Sequence, residues 1–100
     1  MREINEQPFE YLNNEDLRRF EARQNEQLVG FCEYQLRGTT LILPHTETLP
    51  AWQGRGIAAK LVSFVLDEAR SRHLMVMPAC WFVEEFIEEH REYRDLIATE

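Results

Sequence analysis

The feature that most constrains this chain is a glycine-rich turn between a strand and a helix. Residues 49–59 read L-P-A-W-Q-G-R-G-I-A-A, with a strand-like run at residues 41–43 before them and a helical pattern from about Gly56. Two glycines let the backbone turn tightly and approach a ligand closely. A helix start presents unpaired N–H groups and the positive end of its dipole. The arrangement predicts an anion site, usually for phosphate, to which Arg55 adds a fixed positive charge.

Segments on either side of this turn carry a longer resemblance. Residues 53–58 read Q-G-R-G-I-A, preceded by Pro50 and Trp52, with H-T-E at residues 45–47, C-W-F-V at 80–83 and H-R-E-Y at 90–93. The first stretch resembles R/Q-x-x-G-x-G/A, the acyl-CoA-binding signature of the GNAT superfamily of N-acetyltransferases. The other segments, in the same order, resemble those of its small single-domain members. The likeness covers roughly residues 16–96.

Hydrophobic periodicity predicts strands before the turn. Residues 17–23 alternate, with Phe20 and Ala22 facing one way and charged residues the other, which is typical of a solvated edge strand. Residues 28–36 alternate as well, and residues 39–43 form the next strand. Turns are expected at residues 13–14, 25–26 and 37–38. These strands should form an antiparallel meander that leads into the glycine turn.

The second half predicts two helices around one strand. Apolar residues recur at three- and four-residue steps from residue 57 to about residue 72, which favours a helix with one stripe on the sheet. The apolar run at residues 74–77, ended by Pro78, predicts a central strand parallel to residues 39–43. Residues 81–89 predict a second helix, whose glutamates form a solvated face.

We therefore expect an α/β domain with a mixed, mostly antiparallel sheet and two helices. Residues 1–100 form one domain, in which residues 1–15 are a loosely patterned N-terminal extension. The resemblance implies a reduced acyl-CoA N-acyltransferase (GNAT) fold. The family's larger members add N-terminal helices that wall the acceptor site, for which this chain has no room. The resemblance thus implies an acceptor site that is open, or that a partner or a second copy completes, in a monomer or weak homodimer.

Composition narrows the classes of partner. The net charge is −7, from 18 acidic and 11 basic residues, which disfavours nucleic acid and permits an amine-bearing acceptor, either a small molecule or a protein. Cys32 and Cys80 lie far apart, without zinc-like spacing, so we expect no metal and a reduced, cytoplasmic protein. Charge directly after Met1 predicts no signal peptide. The uncharged run at residues 74–83 is too short to span a membrane.

The resemblance assigns the cofactor, acetyl-CoA, to the turn. It implies that Gln53, Gly54, Arg55, Gly56, Ile57 and Ala58 hold the phosphates, chiefly through backbone N–H groups. It also implies that backbone N–H groups near Thr46 and Thr48, at the end of the preceding strand, contact the thioester oxygen.

Three side chains are candidates for catalysis. His45 and Glu47 are spaced i, i+2, so an extended backbone puts both on one face, where either could accept a proton from an ammonium substrate. The alternative is a histidine bonded to a neighbouring carbonyl and a surface carboxylate. Cys80 precedes the second helix, and the resemblance places it near the reactive end of the cofactor. It could contact the thioester, form an acyl-cysteine intermediate, or be a small buried hydrophobe.

Two departures from the family concern protonation of the leaving thiolate. Larger members use a tyrosine on the last helix, and the corresponding position here is Phe86, which cannot donate a proton. Tyr93 is the remaining tyrosine in that region. The family's late H-P-E-Y segment here lacks its proline.

The leading functional prediction is an acetyl-CoA-dependent N-acetyltransferase in which an unidentified amine attacks the thioester directly. One alternative is a non-catalytic module that binds CoA or another phosphate ligand and regulates a partner. Another is a dinucleotide protein, because Gly54, Gly56 and Ala59 also satisfy G-x-G-x-x-G/A. Against it, a proline-containing loop separates strand from glycines, and no acidic residue lies between Glu68 and Glu84 to bind a ribose.

Overall fold

The computed structural model describes residues 8–98, which form one five-stranded sheet with two α-helices. The strands are β1 (Glu10–Asn14), β2 (Arg19–Gln24), β3 (Gln27–Arg37), β4 (Thr40–Thr48) and β5 (Met75–Pro78). They lie in the order β1-β2-β3-β4-β5. The first four are antiparallel neighbours, and β5 runs parallel to β4. The prediction of a mixed, mostly antiparallel sheet with two helices is confirmed.

The helices have nearly the predicted bounds. Helix α1 (Ile57–Ser71) connects β4 to β5 and begins directly after Gly56. Helix α2 (Trp81–Glu89) follows β5. Two short 3-10 helices complete the described elements: η1 (Pro50–Trp52) before the glycine turn and η2 (Arg91–Leu96) after α2.

One hydrophobic core joins the sheet to both helices. Period-two alternation turns one face of β2, β3, β4 and β5 toward α1, which packs a continuous apolar stripe against it. The glutamates of α2 lie on its exposed side, as predicted. The largest fully buried side chains include Val29, Leu43, Ile57, Leu61, Leu66, Val76 and Ile87.

The N-terminal region is more ordered than its sequence predicts. The predicted turn at residues 13–14 is wrong, because Glu10–Asn14 is β1 and the turn follows at residues 15–18. The prediction of a loosely patterned extension is likewise wrong for β1, whereas residues 1–7 lie outside the described part. Ladder bonds to β2 and a ring stack of Tyr11 on Phe64, with centroids 5.6 Å apart, hold this polar strand. The ring stack is a long-range contact, which local patterning does not reveal.

Strand β2 is therefore an inner strand, and its prediction as a solvated edge is wrong. Glu21, on its polar face, has no exposed surface. Its carboxylate accepts hydrogen bonds of 2.7 Å from Arg19 Nε and Arg23 Nε, and of 2.9 Å from Asn14 Nδ2. Burial acts to raise the pKa of Glu21, but these hydrogen bonds outweigh it and hold the pKa below its usual value. A charged cluster thus covers the face that the sequence assigns to water.

The prediction that β5 is a central strand is wrong. It pairs with β4 on one side, whereas within residues 8–98 its other side has only a single bridge, from Val76 to Ile97. Met77 keeps 42% of its surface exposed. Apolar runs predict burial on both faces of a strand, but here only the Val76 side reaches the core.

Candidate functional site

A bulge in β4 sets the geometry of the site. Glu33 of β3 pairs with His45, but Gln35 pairs with Ile42, so β4 carries an extra residue between these pairs. Pro44 lies in this stretch, where its missing N–H costs no ladder hydrogen bond. The bulge reverses which backbone groups of β4 point toward β3 and which toward β5.

The reversal turns two N–H groups away from β3. The Leu49 N–H donates to the Val29 oxygen at 2.9 Å, which makes Gly30 and Thr48 a non-hydrogen-bonded pair. By alternation, the N–H groups of Thr46 and Thr48 then point toward the β5 side. Strand β5 has already ended at Pro78, after which the Ala79 N–H donates to the Leu43 oxygen at 3.1 Å.

The divergence of the two strands opens a cleft of about 430 Å³. It is bounded by the end of β4, the glycine turn and the start of α2. Its lining consists of Pro44, His45, Thr46, Thr48, Gln53, Ala58, Ala79, Cys80, Trp81 and Phe82. The structure thus brings together predicted site residues that lie more than thirty positions apart in the sequence.

The glycine turn closes one end of this cleft. Gly54 and Gly56 have φ values of 82° and 75°, in the left-handed region that glycine alone adopts without strain. A Cβ added at either position would meet no atom within 4 Å. The Gln53 side chain donates to the Thr48 oxygen at 3.3 Å, which ties the turn to β4.

A second cavity, of about 260 Å³, continues along the turn. It shares Thr48, Gln53, Ala58 and Phe82 with the first. Its other lining residues are Trp52, Gly54, Gly56, Ile57 and Ala59. No side chain caps the start of α1 within the described residues. An extended ligand would therefore find one continuous surface from the bulge to unpaired N–H groups at a helix N-terminus.

Arg55 lies on the solvent side of the turn. Its guanidinium carbon is 4.8 Å from the centroid of the Trp52 ring, a cation–π contact. Trp52 in turn meets Phe9 edge to face, with centroids 6.1 Å apart. The predicted fixed cation of the turn is thus held on an aromatic face.

His45 and Glu47 lie on one face of β4, as their spacing predicts. The His45 Nε2 and a Glu47 carboxylate oxygen are 3.0 Å apart, and both side chains are about half exposed. His45 lines the cleft, whereas Glu47 is connected to the cleft only through its contact with His45. Phe31 packs beside the imidazole, with ring centroids 6.0 Å apart. The pair can accept and pass on a proton at the cleft rim.

The two cysteines have different environments. Cys80 is half-buried, lines the cleft and occupies the N-cap position of α2. Cys32 is buried in the core, where burial raises the pKa of its thiol to about 11. The Thr46 hydroxyl donates to the Cys32 sulfur at 3.5 Å, so the Thr46 side chain faces the core and its backbone N–H faces the cleft.

The two positions that concern the leaving thiolate lie in the core. Phe86 is buried and stacks on His90, with ring centroids 3.9 Å apart. The Tyr93 hydroxyl donates to Asp67 at 2.8 Å and lies 3.1 Å from the Ser63 hydroxyl, both on α1. Burial raises the pKa of Tyr93, and neither residue lines the cleft. Tyr93 therefore fixes η2 to α1.

Sequence reasoning did not assign Pro44, Ala79, Trp81 and Phe82 to the site. Pro44 marks the bulge, and a proline inside a strand pattern is a sequence signal for one. Trp81 keeps 73% of its surface exposed at the start of α2, which nothing in the helical periodicity predicts. Within residues 8–98, no group of three potential metal ligands occurs, and no helix is long and apolar enough to cross a membrane.

The sequence has matches among known proteins. The family model described as GCN5-related N-acetyl-transferase matches residues 19–96. Protein NATD1 from Bos taurus is 34% identical over 58 residues, which cover 57% of this chain and 51% of that protein. Protein NATD1 from Gallus gallus is 30% identical over 87 residues, covering 83% and 77%. The chain thus matches about half the length of the first relative and most of the second.

Solved structures share the fold. The NMR structure of a GCN5-like protein from Staphylococcus aureus has a TM-score of 0.69 and 20% identity, over 91% of this chain and 89% of that one. The PaiA N-acetyltransferase from Thermoplasma acidophilum, solved in complex with coenzyme A, has a TM-score of 0.53 and 13% identity, over 74% and 48%. These low identities establish the fold alone, whereas the family match covers most of the sequence. The chain belongs to the GCN5-related N-acetyltransferase (GNAT) family.

Proposed function

We propose that this chain is an acetyl-CoA-dependent N-acetyltransferase that promotes direct attack of an amine on the thioester. One observation carries the proposal. The β4 bulge aims the Thr46 and Thr48 N–H groups into a cleft that continues into the glycine turn at the start of α1. Donors for a thioester oxygen and donors for phosphate thus lie along a single surface.

The residues present fit coenzyme A. The spaces beside Gly54 and Gly56, which a Cβ would occupy, are open to a ligand. The backbone of Gly54 to Ala58, with Gln53 tied to β4 and Arg55 at the rim, would hold the phosphates. Ile57 is buried beneath the turn and anchors it to the core. The coenzyme A complex of the Thermoplasma acidophilum protein supports the same ligand for this fold.

When bound, acetyl-CoA supplies an activated acetyl group. The Thr46 and Thr48 N–H groups stabilise the negative charge that develops on the carbonyl oxygen during attack. His45, assisted by Glu47, removes a proton from the ammonium form of the acceptor, directly or through water. Cys80 contacts the reacting end of the cleft without forming a covalent bond.

We expect solvent, rather than Phe86 or Tyr93, to supply the proton that a leaving thiolate would need. Phe86 has no proton to give, and the Tyr93 hydroxyl is bonded to the exposed Asp67 on α1, away from the cleft. The cleft is open to water along its rim, where Trp81 is exposed. An acceptor amine, on a small molecule or a protein, would enter along this rim. We propose that the chain acts as a monomer or weak homodimer in the cytoplasm, where both cysteines stay reduced.

A second function is favoured by the unsuitability of Phe86 and Tyr93 as acids for the leaving thiolate. Because neither Phe86 nor Tyr93 is placed to protonate the thiolate, the cleft could bind CoA or another phosphate ligand and regulate a partner without turnover. Calorimetric titration with acetyl-CoA and with CoA, followed by turnover assays over a panel of amines, separates the two. Binding with turnover supports the transferase, binding without turnover supports the module, and no binding of either ligand contradicts both.

A further inference from the structure

Arg55 differs from the carboxylate-paired arginines of this protein, although Arg19 among them also lies over an aromatic ring, that of Phe31, at 4.8 Å. Arg19 and Arg23 bond the Glu21 carboxylate, Arg70 bonds Asp95 and Arg72 pairs with Glu68. Arg55 has no carboxylate partner within residues 8–98, and its guanidinium instead lies over the Trp52 indole at 4.8 Å. An aromatic face therefore replaces the carboxylate at the glycine turn.

The choice of partner has a chemical consequence. A carboxylate would occupy the N–H edge of the guanidinium and neutralise its charge. Stacking uses the flat face of the guanidinium and leaves its N–H donors free for a bidentate contact with phosphate. The cation is thus held in one place while its full hydrogen-bonding capacity stays available.

Trp52 is itself well fixed. It ends η1, where its backbone N–H donates to the Leu49 oxygen at 2.8 Å, and Pro50 restricts the first residue of that helix. Phe9, just before β1, packs edge to face on the indole at 6.1 Å. The platform under Arg55 is therefore supported from two separate parts of the chain.

We propose that Trp52 is a positioning residue that acts through Arg55: it holds the guanidinium at the mouth of the glycine turn before a phosphate arrives. This inference rests on the proposed binding of CoA by that turn. A free arginine side chain loses rotamer freedom when it binds, whereas a side chain already stacked has lost much of it on folding. Trp52 itself lines the second cavity, and we expect its effect on phosphate binding to pass through the stacked guanidinium.

A double-mutant cycle with CoA as the probe tests the coupling. Trp52→Leu should weaken CoA binding about two- to five-fold, the range for a partly exposed cation–π contact. Trp52→Phe keeps an aromatic face and should retain most of the affinity. In an Arg55→Met background, Trp52→Leu should cost nothing more. If the two losses multiply instead, Trp52 contacts the ligand itself and the proposal is wrong.

A ligand-free measurement separates this inference from the proposed function. In the NMR spectrum, the ring current of Trp52 should shift the Arg55 side-chain protons upfield. Trp52→Leu should return them to ordinary values, and Trp81→Leu, which removes an exposed indole elsewhere on the cleft, should not. Unshifted Arg55 protons in the parent protein would overturn the positioning role. Failure of the parent to bind CoA, with shifted protons present, would instead contradict the proposed function and, with it, the role of the stacked pair in phosphate binding, while leaving the stacking itself in place.

Discussion

Gly56→Ala and its control Gly38→Ala separate the ligand contribution of the glycine turn from its conformational contribution. Both glycines have positive φ, 75° at Gly56 and 61° at Gly38, and at both an added Cβ meets no atom within 4 Å. Alanine should therefore cost each variant the same left-handed strain, about 1–2 kcal/mol. For a domain of this size, each kcal/mol lowers the melting temperature by about 4–8 °C. Neither variant should fail to fold.

The two variants should differ in binding. Gly38 lies in the β3–β4 turn, away from the cleft, whereas the space beside Gly56 is where the phosphates would lie. A methyl group there keeps a phosphate from the N–H groups of the turn. Losing one hydrogen bond to a charged group costs about 1.5–3 kcal/mol, so CoA binding should weaken roughly ten- to hundred-fold. Gly38→Ala should bind as the parent does.

Thermal melts and calorimetry on both variants make the comparison. The expected result is similar losses of melting temperature with a loss of affinity only in Gly56→Ala. Equal affinities in the two variants, after correction for the folded fraction, would refute the assignment of the turn to phosphate.

Three further predictions test other parts of the account. Cys80→Ala should keep most of its turnover with an altered KM, because transfer is direct; mass spectrometry that finds an acetyl group on Cys80, discharged by an amine, would contradict this. Tyr93→Phe should lower stability by about 1 kcal/mol and leave turnover unchanged, since the lost hydroxyl serves Asp67. Glu21→Gln should lose about 3 kcal/mol at neutral pH, measured by denaturant titration, as both arginine partners keep access to water. Because the pKa of Glu21 is lowered in the folded state, the stabilisation by its carboxylate is present above the usual pKa of 4.5 and is lost as the pH falls through the folded pKa. The free energy of unfolding of the variant should therefore fall less steeply at acid pH than that of the parent. An equally steep fall would count against the charged cluster.

Local patterning was sufficient where one face of an element meets the core. The bounds of α2 and the start of α1 follow from apolar residues at three- and four-residue steps, and the glycine turn follows from its own residues. It was insufficient where distant side chains decide burial. Glu21 reads as solvated because its neighbours in sequence are charged, but the same neighbours, Arg19 and Arg23, close over it once β1 pairs with β2.

Some parts of the candidate site follow from local sequence, and others depend on contacts between distant elements. The turn and the shared face of His45 and Glu47 are consequences of short spacings and could be predicted. The cleft depends on the register of β3 against β4, which the bulge near Pro44 changes, and on the end of β5 at Pro78. The core location of Tyr93 depends on η2 packing against α1. The periodicity of apolar residues within one element does not reveal these contacts between elements.

The most direct test of the central claim is an NMR titration of the isotopically labelled protein with acetyl-CoA. Backbone amide signals of Thr46, Thr48 and residues 54–58 should shift together as one site saturates. Amides of the Gly38 turn should not move. Saturation without shifts at these positions, or shifts confined to the small cavity beside Phe20 and Tyr34, would contradict it.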